Sequence, residues 1–497
     1  MGDISYLLPL LFVGVGAVVL MLLSYTKSLS ISNIAKIALG FLVLAFISNV
    51  YYFGELHKVY PYENVFFGMI VSDTYSVYFN SILLVGAIAT ILIGWDYFRP
   101  DRRFTGEFFS LLLFSTFGMM LLVQSTELLS AFIALEIASL SLYVMIGFQT
   151  DNIRRVEASY RYLVLGSLSG VFFLFGTALI YASTKTTFLG NIGVELLPQT
   201  GKDISLAIGG ATLILITFLF KISAFPFQNW TIDVYDGSPL PVSAYMASTF
   251  KVAVFAFMLR FVAMDLGYIK DYWDGLLMGV IILTLAYGTF LALAQNNLKR
   301  MLASSSIVHT GYLLIAFVSI DIIGESASSS IIYYLIAYFL SAMGAFGLIS
   351  YISSSDKLRL TYEDFKGFSH VRPYMSAMLS IFMLSLAGLP GTIGFIGKFY
   401  IFSGAIEAGY TVLATSAILA TFISIYYYFK LIALMYFYPS PILSDVPPLK
   451  GLPPLFIGLI AIAVLWGGIG NTFIAFFPGI DFLIDVAKLS YRSLFLQ

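Results

Sequence analysis

Five ionisable side chains stand in stretches that are otherwise apolar, and their types limit the chemistry open to this chain. Glu136 lies in Ala-Leu-Glu-Ile-Ala, Lys221 follows Phe-Leu-Phe, Lys251 precedes Val-Ala-Val-Phe, His309 follows Ser-Ile-Val, and Lys398 lies in Ile-Gly-Lys-Phe-Tyr. A charge held deep in a hydrocarbon layer costs roughly 2.5–3.5 kcal/mol on insertion scales, so Glu136, Lys221, Lys251 and Lys398 together oppose burial by on the order of 10 kcal/mol. Such groups must be paired, hydrated or neutralised. Desolvation disfavours the charged form of either sign, which brings buried amines and carboxyls toward proton exchange near neutral pH. A single Glu–Lys pair could serve only to lock two helices together. One glutamate cannot neutralise three lysines, however, so a line of proton-exchanging groups is the expected chemistry. His309 fits that line as a group titrating near neutrality, and fits equally as a structural histidine bonded to a neighbour.

Two of the lysines adjoin chain breakers. Pro226 follows Lys221 in Lys-Ile-Ser-Ala-Phe-Pro-Phe, and Pro390, Gly391, Gly394 and Gly397 precede Lys398. Proline removes a backbone donor and glycine weakens a helix. Interrupted helix at membrane depth survives only inside protein or beside a water-filled cavity, which makes both places candidate ion sites.

The spacing of these features repeats. Lys221 to Lys398 is 177 residues, Lys251 to Lys430 is 179, and Glu136 to His309 is 173. The chain therefore reads as two five-helix units, 107–264 and 265–438, between an N-terminal three-helix region, 1–106, and a C-terminal helix and tail, 439–497. An odd number of helices per unit inverts the second unit in the membrane, an arrangement common in transporters.

The elements that must position these groups follow from composition. Of 497 residues 59% are hydrophobic and only 11% charged, against about 25% charged in soluble proteins. Runs of about 20 apolar residues mark membrane-spanning helices. They are expected near 5–24, 33–53, 75–97, 107–123, 127–148, 160–182, 205–227, 241–264, 274–295, 302–320, 329–353, 374–403, 410–438 and 453–477. The fold class is thus an all-α integral membrane protein of about fourteen helices, and the start, without a positive charge in residues 1–5, reads as a retained first helix rather than a cleaved signal.

Loops after odd-numbered helices hold Lys27, Arg99, Arg102, Arg103, Arg154, Arg155, Lys299, Arg300, Lys357, Arg359, Lys366, Arg372 and Lys450. The other side holds Lys58, Lys185, Lys202, Lys270, Lys488 and Arg492. Thirteen against six places odd loops in the cytoplasm and both termini outside. The net charge of −1 gives no footprint for nucleic acid, and the absence of cysteine excludes disulfides and iron–sulfur ligation by this chain. Three widely spaced histidines make a histidine-built metal site an unpromising expectation.

Three segments carry a resemblance: Asp233-Val-Tyr-Asp-Gly-Ser-Pro-Leu-Pro-Val-Ser-Ala, Asn297-Leu-Lys-Arg-Met-Leu-Ala-Ser-Ser-Ser-Ile-Val-His-Thr-Gly-Tyr, and Ala387-Gly-Leu-Pro-Gly-Thr-Ile-Gly-Phe-Ile-Gly-Lys-Phe. With them, nearly the whole chain resembles the antiporter-like membrane subunits of respiratory complex I. That resemblance implies fourteen helices, inverted repeats over helices four to eight and nine to thirteen, and breaks in helices seven and twelve. It assigns proton transfer to Glu136, Lys221, Lys251, Lys398 and the His309 position. It implies no cofactor in this chain, with flavin, iron–sulfur clusters and quinone in partner subunits, and a bacterial inner-membrane hetero-oligomer. A subunit of a multi-subunit cation/proton antiporter shares the same motifs. A solute transporter or a charged scaffold would share only the architecture.

Overall fold

The computed structural model describes residues 4–25, 29–56, 62–98, 104–197, 204–265, 267, 269, 272–353, 360–439, 449–469 and 480–495. The orientation residues Lys27, Lys58, Arg99, Arg102, Arg103, Lys202, Lys270, Lys357 and Arg359, and positions 470–477 of the last expected span, lie outside them.

Helices dominate because apolar runs of this length can satisfy their backbone groups only internally when lipid surrounds them. In chain order they are α1 (Leu8–Tyr25), α2 (Ile31–Leu56), α3 (Thr74–Ile93), α4 (Glu107–Gln124), α5 (Leu128–Ile146), α6 (Ile153–Thr184), α7 (Ser205–Lys221), α8 (Asn229–Gly237) and α9 (Leu240–Asp265). There follow α10 (Asp274–Ala294), α11 (Leu298–Val318), α12 (Glu325–Ile352), α13 (Pro373–Ala387), α14 (Ile393–Glu407), α15 (Thr411–Phe437), α16 (Leu452–Ile469) and α17 (Ile480–Arg492). Among the described residues twelve helices are long and apolar enough to cross a membrane. The expected span 205–227 is helical only to Lys221, with the short helix α8 starting beyond it at Asn229, and the expected span 374–403 is a pair of shorter helices, α13 and α14.

Burial is graded across the bundle. α11 is buried at every residue but Arg300 and α9 and α12 over most of theirs, whereas α1, α2, α6, α10, α15 and α16 leave large parts of their apolar surface exposed. The exposed faces of α6 present Val164, Leu168, Val171 and Phe175, the composition of a lipid-facing stripe. The polar-rich helix α11, with Ser304, Ser305, Ser306, His309 and Thr310 all buried, could not face lipid, so the other helices enclose it.

Two elements escaped the apolar-run reading. Tyr62–Val65 (β1) and Ile70–Asp73 (β2) form an antiparallel hairpin ahead of α3, and Asp73 caps α3 by accepting from Ser76 N at 2.7 Å. α17 is amphipathic and packs on α12 and α3.

Candidate proton-transfer site

The two helix breaks are built from freed backbone groups that find side-chain partners. α7 ends at Lys221, and beyond it the Ile222 carbonyl accepts from Thr310 Oγ1 at 2.8 Å, Phe225 N donates to Thr284 Oγ1 at 2.9 Å, and the Phe220 carbonyl accepts from Trp230 Nε1 at 3.1 Å. These contacts supply what an uninterrupted helix would have bonded internally. Lys221 itself is 1% exposed. Its Nζ donates to Ser139 Oγ at 2.8 Å and to Tyr143 Oη at 3.3 Å, and it lies 5.7 and 5.9 Å from the ring centres of Tyr143 and Tyr162.

Glu136 shares this face of α5, because residues three and seven positions on return to the same side of a helix. It does not hold Lys221 in this structure. Its Oε1 is buried without a hydrogen-bond partner, pressed against α6 where a Cβ at Gly170 would come within 3.0 Å of it. The residue as a whole is only partly buried, unlike the three lysines. Ser139 lies one helical turn from Glu136, about 4.5 Å along the axis, so a swing of the Lys221 side chain separates its observed position from an ion pair.

Lys251 follows a π-helical turn, Met246–Phe250, within α9. Such turns insert a residue and re-aim the side chains beyond them, and they concentrate at functional sites. Here the result is that Lys251, 2% exposed, points at α11. Its Nζ donates to the Ser306 carbonyl at 3.0 Å, Ser306 Oγ at 2.9 Å and Thr310 Oγ1 at 3.1 Å. Thr310 thereby touches both Lys251 and the break after Lys221.

His309 sits between these two contacts on α11. Its Nδ1 is 2.6 Å from Tyr334 Oη and its Nε2 is 3.3 Å from Tyr428 Oη, with the Tyr428 hydroxyl bonded to Ser305 in turn. The Tyr312 ring stands edge-on to the imidazole, centres 5.6 Å apart. That same ring takes Lys398 Nζ on its face at 4.9 Å.

Lys398, 3% exposed, lies in α14 just past the second break and reaches back across it. Its Nζ caps the C-terminus of α13, donating to the Leu386 and Ala387 carbonyls at 2.9 and 3.1 Å. A cation there satisfies carbonyls that have no intrahelical partner and meets the negative end of the helix dipole. Gly388 makes the turn possible: its φ is +82°, and a Cβ there would stand 2.8 Å from Lys398 Cδ. The two breaks are therefore not superimposable, since Lys221 precedes its break and Lys398 follows its own.

The structure thus sets a buried polar line along α11, where Lys251, His309 and Lys398 meet, and bonds the backbone just after Lys221 to the same helix, while the Lys221 amine itself turns to α5, the helix of Glu136. Apolar-run reasoning missed Ser139, Tyr143, Ser306, Thr310, Tyr312, Tyr334 and Tyr428. A signal existed in the Ser-Ser-Ser run of α11, whose hydroxyls have no reason to lie in an apolar span unless they bond something inside it. Lys430, the fourth internal lysine, is half-buried over the Tyr362 ring at 4.4 Å and stands apart from this line.

Comparison with known proteins gives the family and the fold. The family described as NADH:quinone oxidoreductase/Mrp antiporter, TM, matches residues 125–424, a stretch containing all five candidate residues. The chain belongs to this family. Within the family, subunit N of NADH-quinone oxidoreductase from Trichlorobacter lovleyi is 41% identical over 371 residues, 75% of this chain and 76% of the relative. The fold matches a chain in the structure of respiratory complex I from Thermus thermophilus with TM-score 0.78 and 29% identity, covering 94% of this chain and 98% of the other. It also matches a chain of the Mrp complex from Dietzia with TM-score 0.82, covering 99% and 98%, at 17% identity, a likeness of fold alone. The chain is accordingly a multi-pass α-helical membrane protein of a family whose members work inside multi-subunit complexes.

Proposed function

We propose that this chain is a proton-translocating membrane subunit of an NADH–quinone oxidoreductase, and that protons cross it through Glu136, Lys221, Lys251, His309 and Lys398. One observation carries the reading: Thr310 bonds both the break beside Lys221 and the Lys251 ammonium, while two residues on Tyr312 contacts Lys398. Two buried amines from separate helices, Lys251 and Lys398, thus meet on one helix, α11, which also bonds the backbone just after the third, Lys221. The resemblance to subunit N relatives supplies the energy source. Electron transfer to quinone takes place in partner subunits of a bacterial inner-membrane complex, with flavin and iron–sulfur clusters there. The side chains of this chain do not suit an iron–sulfur cluster, since it has no cysteine to supply thiolate ligands.

Each broken pair of helices counts as one crossing, which gives fourteen in all. The units 107–264 and 265–438 form inverted repeats, flanked by 1–106 and 439–497, with both termini on the outer side. In the working cycle Lys221 alternates between the Ser139–Tyr143 site and an ion pair with Glu136. Once parted from the carboxylate, Lys221 passes a proton on by way of Lys251 and the α11 hydroxyls toward Lys398. Moving one charge against 100 mV requires about 2.3 kcal/mol, which quinone reduction provides. The test is redox-driven proton pumping by the assembled complex in vesicles. Lys221→Ala and Glu136→Gln both depress it and Glu136→Asp retains part; normal pumping by an assembled Lys221→Ala complex overturns the assignment. The shared fold with the Mrp chain motivates one alternative, cation/proton antiport, which would show as sodium-dependent proton movement without any electron donor.

A further inference from the structure

Between the loop ends of the two halves lies a polar vestibule of about 440 Å³ that the proton line does not yet use. It opens on the Lys/Arg-rich side, and its wall carries Glu157, Asp233 and Asp236 among Arg154, Arg155, Arg161 and Arg300, with Arg161 paired to Glu157 at 2.6 Å and to Asp233 at 2.9 Å. Arg300 pairs with Asp236 at 3.2 Å and Asp233 at 3.6 Å, with these side chains about one-third to one-half exposed, so the mouth is wet. Its floor includes Lys299, which is 3% exposed. That amine is held only by backbone: Nζ donates to the Asp236 carbonyl at 2.9 Å and to the Ser238 carbonyl.

Below the floor, buried hydroxyls lead inward. Ser238 Oγ is 2.6 Å from Ser243 Oγ, and both bond the Tyr235 carbonyl. The Tyr235 hydroxyl faces Ser306, and Ser306 Oγ is 2.9 Å from Lys251 Nζ. Each of these side chains is 2% exposed or less. A structural clip joining the α8–α9 turn to α11 would explain the Lys299 contacts alone. It would not explain why a buried amine stands between a wet mouth lined by charged groups and a set of buried hydroxyls that ends on Lys251.

We infer that Lys299 is the intake residue through which protons from the Lys/Arg-rich side reach Lys251. This rests on the proton path proposed above. A vestibule carboxylic acid or hydronium gives its proton to the neutral Lys299 amine, forming an N–H bond and leaving carboxylate or water. The Lys299 ammonium then releases one proton to a water molecule that bridges it to the Ser238 and Ser243 hydroxyls, and a second water bridges these to the Tyr235 hydroxyl. Each hydroxyl gains a proton on oxygen as it gives up its own, until the neutral Lys251 amine takes one up. Lys299 ends as an amine and Lys251 as an ammonium, with no net change in between.

The test compares Lys299→Arg, Lys299→Met, Tyr235→Phe and Lys251→Met in the assembled complex in vesicles, in H2O and D2O. Arginine keeps the charge and the carbonyl contacts but does not release its proton in a protein, so a clip tolerates it and an intake residue does not. Proton-transfer groups contribute about a hundredfold or more to rate, and a partial bypass by water still leaves about a tenfold or greater fall for Lys299→Arg and Lys299→Met. Tyr235→Phe should slow pumping less and enlarge the solvent isotope effect. Lys299→Arg pumping at the unaltered rate while Lys251→Met does not would overturn the intake and leave the path standing. Normal pumping by Lys299→Arg and Lys251→Met alike would overturn both. Should neither Lys299 variant assemble, an unchanged rate and isotope effect for Tyr235→Phe would overturn the intake.

Discussion

The position of Lys221 makes a quantitative prediction about the switch. Its ammonium is held away from Glu136 by two neutral partners, Ser139 Oγ at 2.8 Å and Tyr143 Oη at 3.3 Å. Hydrogen bonds to a charged group contribute about 1.5–3 kcal/mol each, and the longer contact belongs at the weak end. Replacing both partners, Ser139→Ala with Tyr143→Phe, therefore removes about 3 kcal/mol from the separated state, since the Tyr143 ring still faces the ammonium. At about 1.4 kcal/mol per decade, that shifts the balance toward the Glu136-paired state roughly a hundredfold. The paired lysine holds its proton, so donor-driven pumping in vesicles, followed with a pH-sensitive dye, should fall about tenfold or more. Each single variant should fall between, Ser139→Ala further than Tyr143→Phe, and relaxing the pair with Glu136→Asp should recover part of the loss. A double variant that assembles and pumps at the unaltered rate refutes the argument that Lys221 must leave Glu136.

Other outcomes depend on single contacts. Gly388→Ala forces a side chain into a left-handed turn, at about 1 kcal/mol or more, and drives a methyl against Lys398 Cδ. Pumping should drop with little loss of assembled complex, and unimpaired pumping would show that the reach of Lys398 to α13 is dispensable. Asp73→Asn keeps the cap on α3 but leaves Arg260, 0% exposed and bonded to both Asp73 oxygens at 3.0 and 2.8 Å, without its counter-charge. Losing one partner of a buried pair costs about 3–5 kcal/mol. The complex should dissociate at a clearly lower temperature, and an unchanged midpoint would contradict the pairing.

How much of the molecule is legible in its sequence differs by element. Long apolar runs such as 33–53 and 410–438 can be read directly, because lipid admits one regular backbone solution at that length. The α7–α8 and α13–α14 breaks are foreshadowed by Pro226 and by Pro390 with its glycines, though the first expected span carries helix past Lys221 to 227 and the second runs straight through its break. The deep lysines stand out because charge in an apolar window has few structural explanations. Sequence does not show which way each amine points. Lys251 reaches α11 because of a π-helical turn that no residue type in Met246–Phe250 announces, and Lys221 rests on Ser139 and Tyr143 although a carboxylate lies one turn away. α17 escapes because its apolar residues form one face, not a run. β1 and β2 escape because a hairpin of two four-residue strands leaves no hydropathy signal beside much longer helices.

The account turns on amines that exchange protons inside the bundle, and Lys251, bonded to three acceptors on α11, is the one at its centre. The decisive measurement is the number of protons moved per electron by the assembled Lys251→Met complex in sealed vesicles. A ratio clearly below that of the unaltered complex, with the substituted subunit present in full amount, is the predicted result. An unchanged ratio would mean that protons cross without this amine, and the line from Lys221 to Lys398 would not be their route.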